Sequence, residues 1–160
     1  MPNMPPPGRF SPHSAFLNGS NRDKINPNWL ETVHGCVGDV AKKSRGSRQL
    51  QLHLPNASPT VRHLVIEEVV EEVIPLSKNV FANFVVQAVL PMMDRMQLNN
   101  VIDVFSGKVL SMSFDPHGCR VLKSLIAFFP NVPRILSLAE ELIGYEKNCA
   151  FDTNAVHVPQ

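Results

Sequence analysis

The sequence predicts an all-α fold, an α-solenoid of stacked helical repeats with a period of about 36 residues. Three observations predict it. The segment FANFVVQAVL, at 81–90, has near-copies at 45–54 (RGSRQLQLHL) and at 117–126 (HGCRVLKSLI). Small residues recur at fixed columns around each copy. Apolar residues fall at helical spacing within each copy. Self-similarity at a fixed period of this size marks an array in which each unit buries its apolar face against its neighbours.

Composition bounds the function. The chain has 160 residues, 44% of them hydrophobic, with a net charge of +1 and a pI near 7.8. That balance excludes a nucleic-acid binder that relies on bulk positive charge, so any such contact must be local. No apolar run approaches the roughly 18–20 residues that span a bilayer, so no membrane partner is expected. The N-terminus lacks a signal-peptide core. Cys36, Cys119 and Cys149 lie far apart without C-x-x-C spacing, which, without a secretion signal, predicts reduced thiols in an intracellular protein; the expected location is cytoplasmic.

The elements follow in order. Residues 1–28 hold six of the 14 prolines, among Gly, Ser and Asn, and predict a disordered leader. A globular part follows over 29–160, in units of about 29–57, 58–93, 94–130 and 131–160. The anchor column is small in every unit: Gly46, Ala82, Gly118 and Ala155. Five positions earlier stand Ala41, Ser77, Ser113 and Ala150, and six positions earlier Val40, Leu76, Met112 and Cys149. Eleven positions earlier stand Gly35, Glu71, Gly107 and Gly144. Small columns of this kind predict close approach between helices. VIEEVVEEVI, at 65–74, carries apolar pairs at i, i+4, which leaves Glu67, Glu68, Glu71 and Glu72 on a solvated face. Asn79, Asp115 and Asp152 are cap signals for the second helix of each unit. Pro55, Pro91 and Pro130 mark where those helices end. Val85, Val86, Val89 and Leu90, then Val121, Leu122, Leu125 and Ile126, form their buried stripes. Each unit reads as a helix pair with a short connection.

Three positions in each second helix depart from the apolar stripe. They are Ser47, Arg48 and Gln51; Asn83, Phe84 and Gln87; Cys119, Arg120 and Lys123; and Val156, His157 and Gln160 in the last unit. The offsets are i, i+1 and i+4. On a helix, i and i+4 are neighbours one turn apart, and i+1 lies about 100° round. Two side chains can therefore grip the edge of one flat group while the third lies against a face. Arg, Phe and His are stacking platforms for nucleobases, and Gln and Asn offer donors and acceptors to base edges. One such triplet per unit suits a single strand read one base at a time.

The pattern G-S-R-x-x-Q, A-N-F-V-V-Q, G-C-R-V-x-K, with a small residue upstream, resembles the Pumilio (PUF) RNA-binding repeat over residues 29–160. The resemblance implies a right-handed α-solenoid that binds single-stranded RNA on its concave face, one base per repeat. It implies action on messenger RNA 3′ untranslated regions to control translation or stability. It implies no cofactor, no metal and no enzymatic activity, with protein co-regulators possible on the convex face.

Carried over unit by unit, Ser47 and Gln51 with Arg48 match an adenine reader. Asn83 and Gln87 with Phe84 match a uracil reader. Cys119 and Arg120 resemble an adenine reader, but Lys123 replaces the family's Gln and cannot accept a hydrogen bond. His157 and Gln160 match a uracil-type reader, yet Val156 stands where Asn is expected and Pro159 breaks the helix. The implied target is a short A/U-rich element, roughly 5′-AUA-3′. The family carries eight repeats; three units and a fragment ending at Gln160 predict an incomplete array with an uncovered apolar end.

Lys42, Lys43, Arg45, Arg48, Arg62 and His63 make the first unit basic and predict phosphate contacts there. No P-loop, H-E-x-x-H or G-x-S-x-G motif is present. Two other readings use the same residues. A HEAT- or armadillo-like solenoid would dock proteins through Glu67–Glu72. A PUF-like factor of ribosomal RNA maturation would bind RNA with less sequence selectivity, which Lys123 favours.

Overall fold

The structure is a computed structural model and describes residues 28–142. Among the described residues every regular element is a helix, and the helices recur in sets of three. The first set is α1 (Trp29–Thr32), α2 (Val37–Ala41) and α3 (Ser44–His53). The second is α4 (Pro59–Glu71), α5 (Val73–Ser77) and α6 (Ala82–Val89). The third is α7 (Arg95–Phe105), α8 (Val109–Ser113) and α9 (Gly118–Phe128), after which α10 (Pro133–Glu140) begins another. The repeat is therefore not a plain helix pair. Its connection is itself a five-residue helix in each set. The reason lies in the apolar and small columns just before the anchor. Val40, Leu76 and Met112 are buried, as are Ala41, Ser77 and Ser113, and one helical turn brings both columns inward together.

Local chemistry sets the ends. Ser58 caps α4 by accepting the Val61 N–H, with Pro59 in the first turn. Asp94 and Gln97 form a reciprocal capping box on α7. The Asn79 Oδ1 accepts from the backbone N–H of Phe81 and Ala82, and the Asp115 Oδ1 does so from His117 and Gly118. Both predicted caps therefore hold the turn that opens α6 and α9. Pro55 and Pro91 sit in 3-10 turns, Leu54–Asn56 and Leu90–Met92, that prolong α3 and α6 before the chain leaves. Pro130 lies just beyond α9.

Like helices stack on like. The third helices α3, α6 and α9 pack side by side, and the first helices of the sets, the four-residue α1 and the longer α4, α7 and α10, do the same. The core lies between these two layers. Val85, Val86, Val89 and Leu90 are buried from α6, and Val121, Leu122 and Leu125 from α9, with Ile126 partly covered. Val65, Ile66, Val69, Val70 and Phe105 face them from the long helices. At about 1.5–3 kcal/mol for each fully buried aliphatic or aromatic side chain, this shared core is the main source of stability.

The small columns have two separate causes. At the anchor column, a Cβ on Gly46 would stand 2.1 Å from the Val40 carbonyl oxygen, and one on Gly118 would stand 2.9 Å from that of Met112. This is close approach of a third helix to the short helix of its own unit. The column of Gly35 and Gly107 is different, because neither site is crowded. Both residues have positive φ, +82° and +74°, and turn the chain from the long helix into the short one. Glu71 replaces this glycine in the second unit, where α4 stays helical through that position.

The acidic run does not form a free solvated face. The Glu68 carboxylate accepts from the backbone N–H of Gly35 at 2.7 Å and of Val37 at 3.1 Å, and sits 2.6 Å from His34 Nδ1. It thus satisfies the turn of the preceding unit and the start of α2. Glu141 repeats the device two units on, accepting from the Gly107 N–H at 3.0 Å. Lys42 donates to Glu72 at 2.8 Å, and Gln97 donates to Glu67 at 2.9 Å. Three of the four glutamates therefore bond a neighbouring unit, although Glu72, like Glu71, stays exposed. Replacing Glu68 with Ala should lower unfolding stability by about 1.5–3 kcal/mol in a urea titration, the scale of hydrogen bonds to a charged group. The adjacent Glu71→Ala should stay within about 0.5 kcal/mol of wild type.

Candidate nucleic-acid interface

The predicted triplets come together as a ladder because α3, α6 and α9 are neighbours. Within each triplet the three positions have distinct environments. The i+1 residues, Arg48, Phe84 and Arg120, are exposed. Phe84 is 44% exposed, a large apolar ring kept out of the core. The i+4 residues Gln51 and Gln87 are half-buried, and Lys123 is exposed. The i residues Ser47, Asn83 and Cys119 are buried.

That burial revises the simple picture of two side chains gripping one edge. Asn83 donates both amide hydrogens to backbone, to the Asn79 carbonyl at 2.8 Å and the Val80 carbonyl at 3.0 Å. Its Oδ1 accepts from Gln87 Nε2 at 3.0 Å. Ser47 donates to the Phe81 carbonyl of the next unit at 2.8 Å, and its Oγ accepts from Gln51 Nε2 at 3.0 Å. In both units the buried residue i holds the residue at i+4. The i position lies one turn beyond the cap residue, over the carbonyls that open the helix, so a polar side chain there bonds inward. Gln87 has a further partner that the triplet pattern did not identify. Its Oε1 accepts from the Ser124 hydroxyl, 2.8 Å away on α9.

The third unit lacks this bonding. The Cys119 thiol lies 3.6 Å from the Pro116 carbonyl. Burial pushes its pKa up, with Asp115 adding to the rise and Arg120 opposing it. Cys36 is also raised, chiefly by burial and then by Glu68 and Asp39. Both cysteines are free thiols. Lys123 reaches outward from the same helix face, so this unit presents a neutral thiol inside and a cation outside.

Half of the basic patch expected on the first unit, Lys42, Arg62 and His63, is engaged elsewhere. Arg62 donates to the carbonyls of Leu54, Pro55 and Ala57, closing the end of the α3 turn. Lys42 is paired with Glu72, and His63 lies against Gln97 and 3.5 Å from Asp94. Arg45 and Arg48 remain exposed on α3. His117 sits at the cap turn of α9 with its Nδ1 buried and without a hydrogen-bond partner. On the long-helix side, an open groove of about 430 Å³ runs between Asp94–Asn99 and Asn131–Arg134. Arg134 crosses there to Asn99 and Asp103. The expectations for Asp152, Val156, His157, Pro159 and Gln160, and for the leader, lie outside the described residues.

The described residues define a helical-repeat solenoid with a polar triplet on each third helix. In sequence and in fold the chain is similar to Pumilio-type (PUF) repeat proteins. It is 29% identical over 137 residues to Pumilio homolog 1 of Xenopus laevis, covering 86% of this chain and 11% of that protein. Its fold superposes on the Puf3 RNA-binding domain bound to the Cox17 RNA 3′ UTR recognition sequence, with a TM-score of 0.80 and 26% identity. That match covers 92% of this chain and 41% of the Puf3 chain. PUF-8 in complex with PBE-RNA shares the fold, with a TM-score of 0.75 and 24% identity over 91% of this chain and 41% of that one. The chain therefore spans well under half the length of the relatives it matches. No family model matches the sequence.

The thiol environment gives a direct check. Raised pKa values leave less thiolate at any pH below them, and thiolate is the reactive form. Cys119 and Cys36 should react with iodoacetamide more slowly than a free cysteine peptide between pH 7 and 9. For Cys119, unfolding in urea should remove the difference.

Proposed function

We propose that this chain is a sequence-selective binder of single-stranded RNA that acts on A/U-rich elements of messenger RNA 3′ untranslated regions. One observation carries the proposal. Adjacent helices each present a flat or cationic group at i+1 beside a half-buried or exposed polar group at i+4. Bases stack on Arg48, Phe84 and Arg120, and their edges meet Gln51, Gln87 and Lys123. Ser47 with Gln51 takes adenine, and Asn83 with Gln87 takes uracil. At the third unit, Lys123 donates without accepting, which loosens the choice there. The strand runs antiparallel to the units, giving roughly 5′-AUA-3′ over the first three.

The proposed role is binding rather than catalysis, in post-transcriptional control of translation or stability in the cytoplasm. Among the described residues no helix is long and apolar enough to cross a membrane. Co-regulator proteins would meet the long-helix side. The protein-docking solenoid is less favoured, because Glu67, Glu68 and Glu72 each already bond a neighbouring unit. Each stacked base contributes about 1–3 kcal/mol, so three units bind weakly and with marked salt dependence.

Fluorescence titration with an AUA-centred RNA tests this. Asn83 is buried, so the informative substitutions are the outer ones. Phe84→Ala/Gln87→Ala should lose about 1–3 kcal/mol of affinity when both proteins are compared well below their unfolding temperatures. Equal affinity for the two proteins, or none for either, would contradict the proposal.

A further inference from the structure

Gln87 is held at both ends of its amide, and the second hold comes from the neighbouring unit. Its Nε2 donates to Asn83 Oδ1 at 3.0 Å, and its Oε1 accepts from the Ser124 hydroxyl at 2.8 Å. Asn83 is itself fixed in sense, because both of its amide hydrogens go to backbone carbonyls. A continuous relay therefore runs from the Asn79 and Val80 carbonyls through Asn83 and Gln87 to Ser124. Turning the Gln87 amide over would set its oxygen against Asn83 Oδ1, an acceptor facing an acceptor. What remains for a ligand is one N–H and one oxygen lone pair, in a fixed direction.

Unit one provides the contrast. The hydrogen bonds of Gln51 run through Nε2 to Ser47 alone. The residue corresponding to Ser124 there is Ala88, which has no hydroxyl. Two glutamines at the same column are thus held differently. One is clamped across the unit boundary, and the other is tethered only within its own helix.

We infer that Ser124 is a positioning residue, whose hydroxyl orients Gln87 for base selection at unit two and makes that selection depend on the packing of unit three. This inference rests on the RNA-binding proposal above. A preorganised polar group binds its ligand without a further ordering cost, and hydrogen bonds in series strengthen one another. Unit two should consequently discriminate bases more sharply than unit one.

Two measurements on the same variants test this. The first uses no RNA: side-chain amide NMR of the free protein. The Gln87 Nε2 group should be more rigid than that of Gln51. Ser124→Ala should bring it to the Gln51 level, Ser124→Thr should restore it, and Ala88→Ser should rigidify Gln51. The second is the ratio of affinities for AUA-centred RNA with uracil or cytosine at the central nucleotide. Ser124→Ala should reduce that ratio about three- to tenfold, the worth of one hydrogen bond, while Ser124→Thr keeps it and discrimination at the unit-one nucleotide is unchanged. An unaltered Gln87 amide in Ser124→Ala overturns the clamp. An altered amide with an unaltered ratio overturns its role in base selection. Wild-type protein that binds neither RNA overturns the RNA-binding proposal and this role with it, while the NMR result still decides the clamp.

Discussion

A half-buried hydrogen bond, one helical turn long, organises the ladder face of this molecule. Asn83 Oδ1 accepts from Gln87 Nε2 in the second unit, and Ser47 Oγ accepts from Gln51 Nε2 in the first. A polar side chain in such a seam must find partners, because leaving one unsatisfied costs about 1–3 kcal/mol. Ser47 and Asn83 each meet this demand with a backbone carbonyl on one side and a glutamine on the other. The glutamine is left aligned along the helix with its remaining polar atoms turned outward. Site geometry and fold stability thereby share the same atoms.

The stacking that brings these pairs into register depends on the opposite layer. Carboxylates from the first-helix layer bind the backbone of the preceding unit, as Glu68 on α4 does at Gly35 and Val37 and Glu141, just beyond α10, does at Gly107. Left-handed glycine exposes those N–H groups, and the carboxylate satisfies them. In such an array each unit shares its part of the core only with its immediate neighbours. A lost contact at one boundary therefore weakens the spacing of the triplets on either side of it.

Periodicity made most of this legible from the sequence. The 36-residue echo, the small columns and the cap signals at Asn79 and Asp115 lead directly to the stacked helices and to the position of each triplet. The sequence did not reveal what depends on partners far along the chain. A run of glutamates at 65–74 has the same pattern whether it faces water or the neighbouring backbone. Arg62 counts as a surface cation until three carbonyls are found around it. The five-residue helices were hidden because one turn is too short to show a period. Ser124 has no signature in its own unit, because its partner, Gln87, lies 37 residues earlier. Burial of Ser47, Asn83 and Cys119 had one available signal, since they follow the close-packed anchor residues directly.

Recoding one unit tests most directly the claim that each triplet selects one base. The double substitution Asn83→Ser/Phe84→Arg gives unit two the triplet of unit one, with Gln87 retained. Affinities for four RNAs that differ only at the central nucleotide should then shift in preference from uracil to adenine, with the flanking preferences unchanged. A preference that stays with uracil, or that disappears at every position together, would contradict the account.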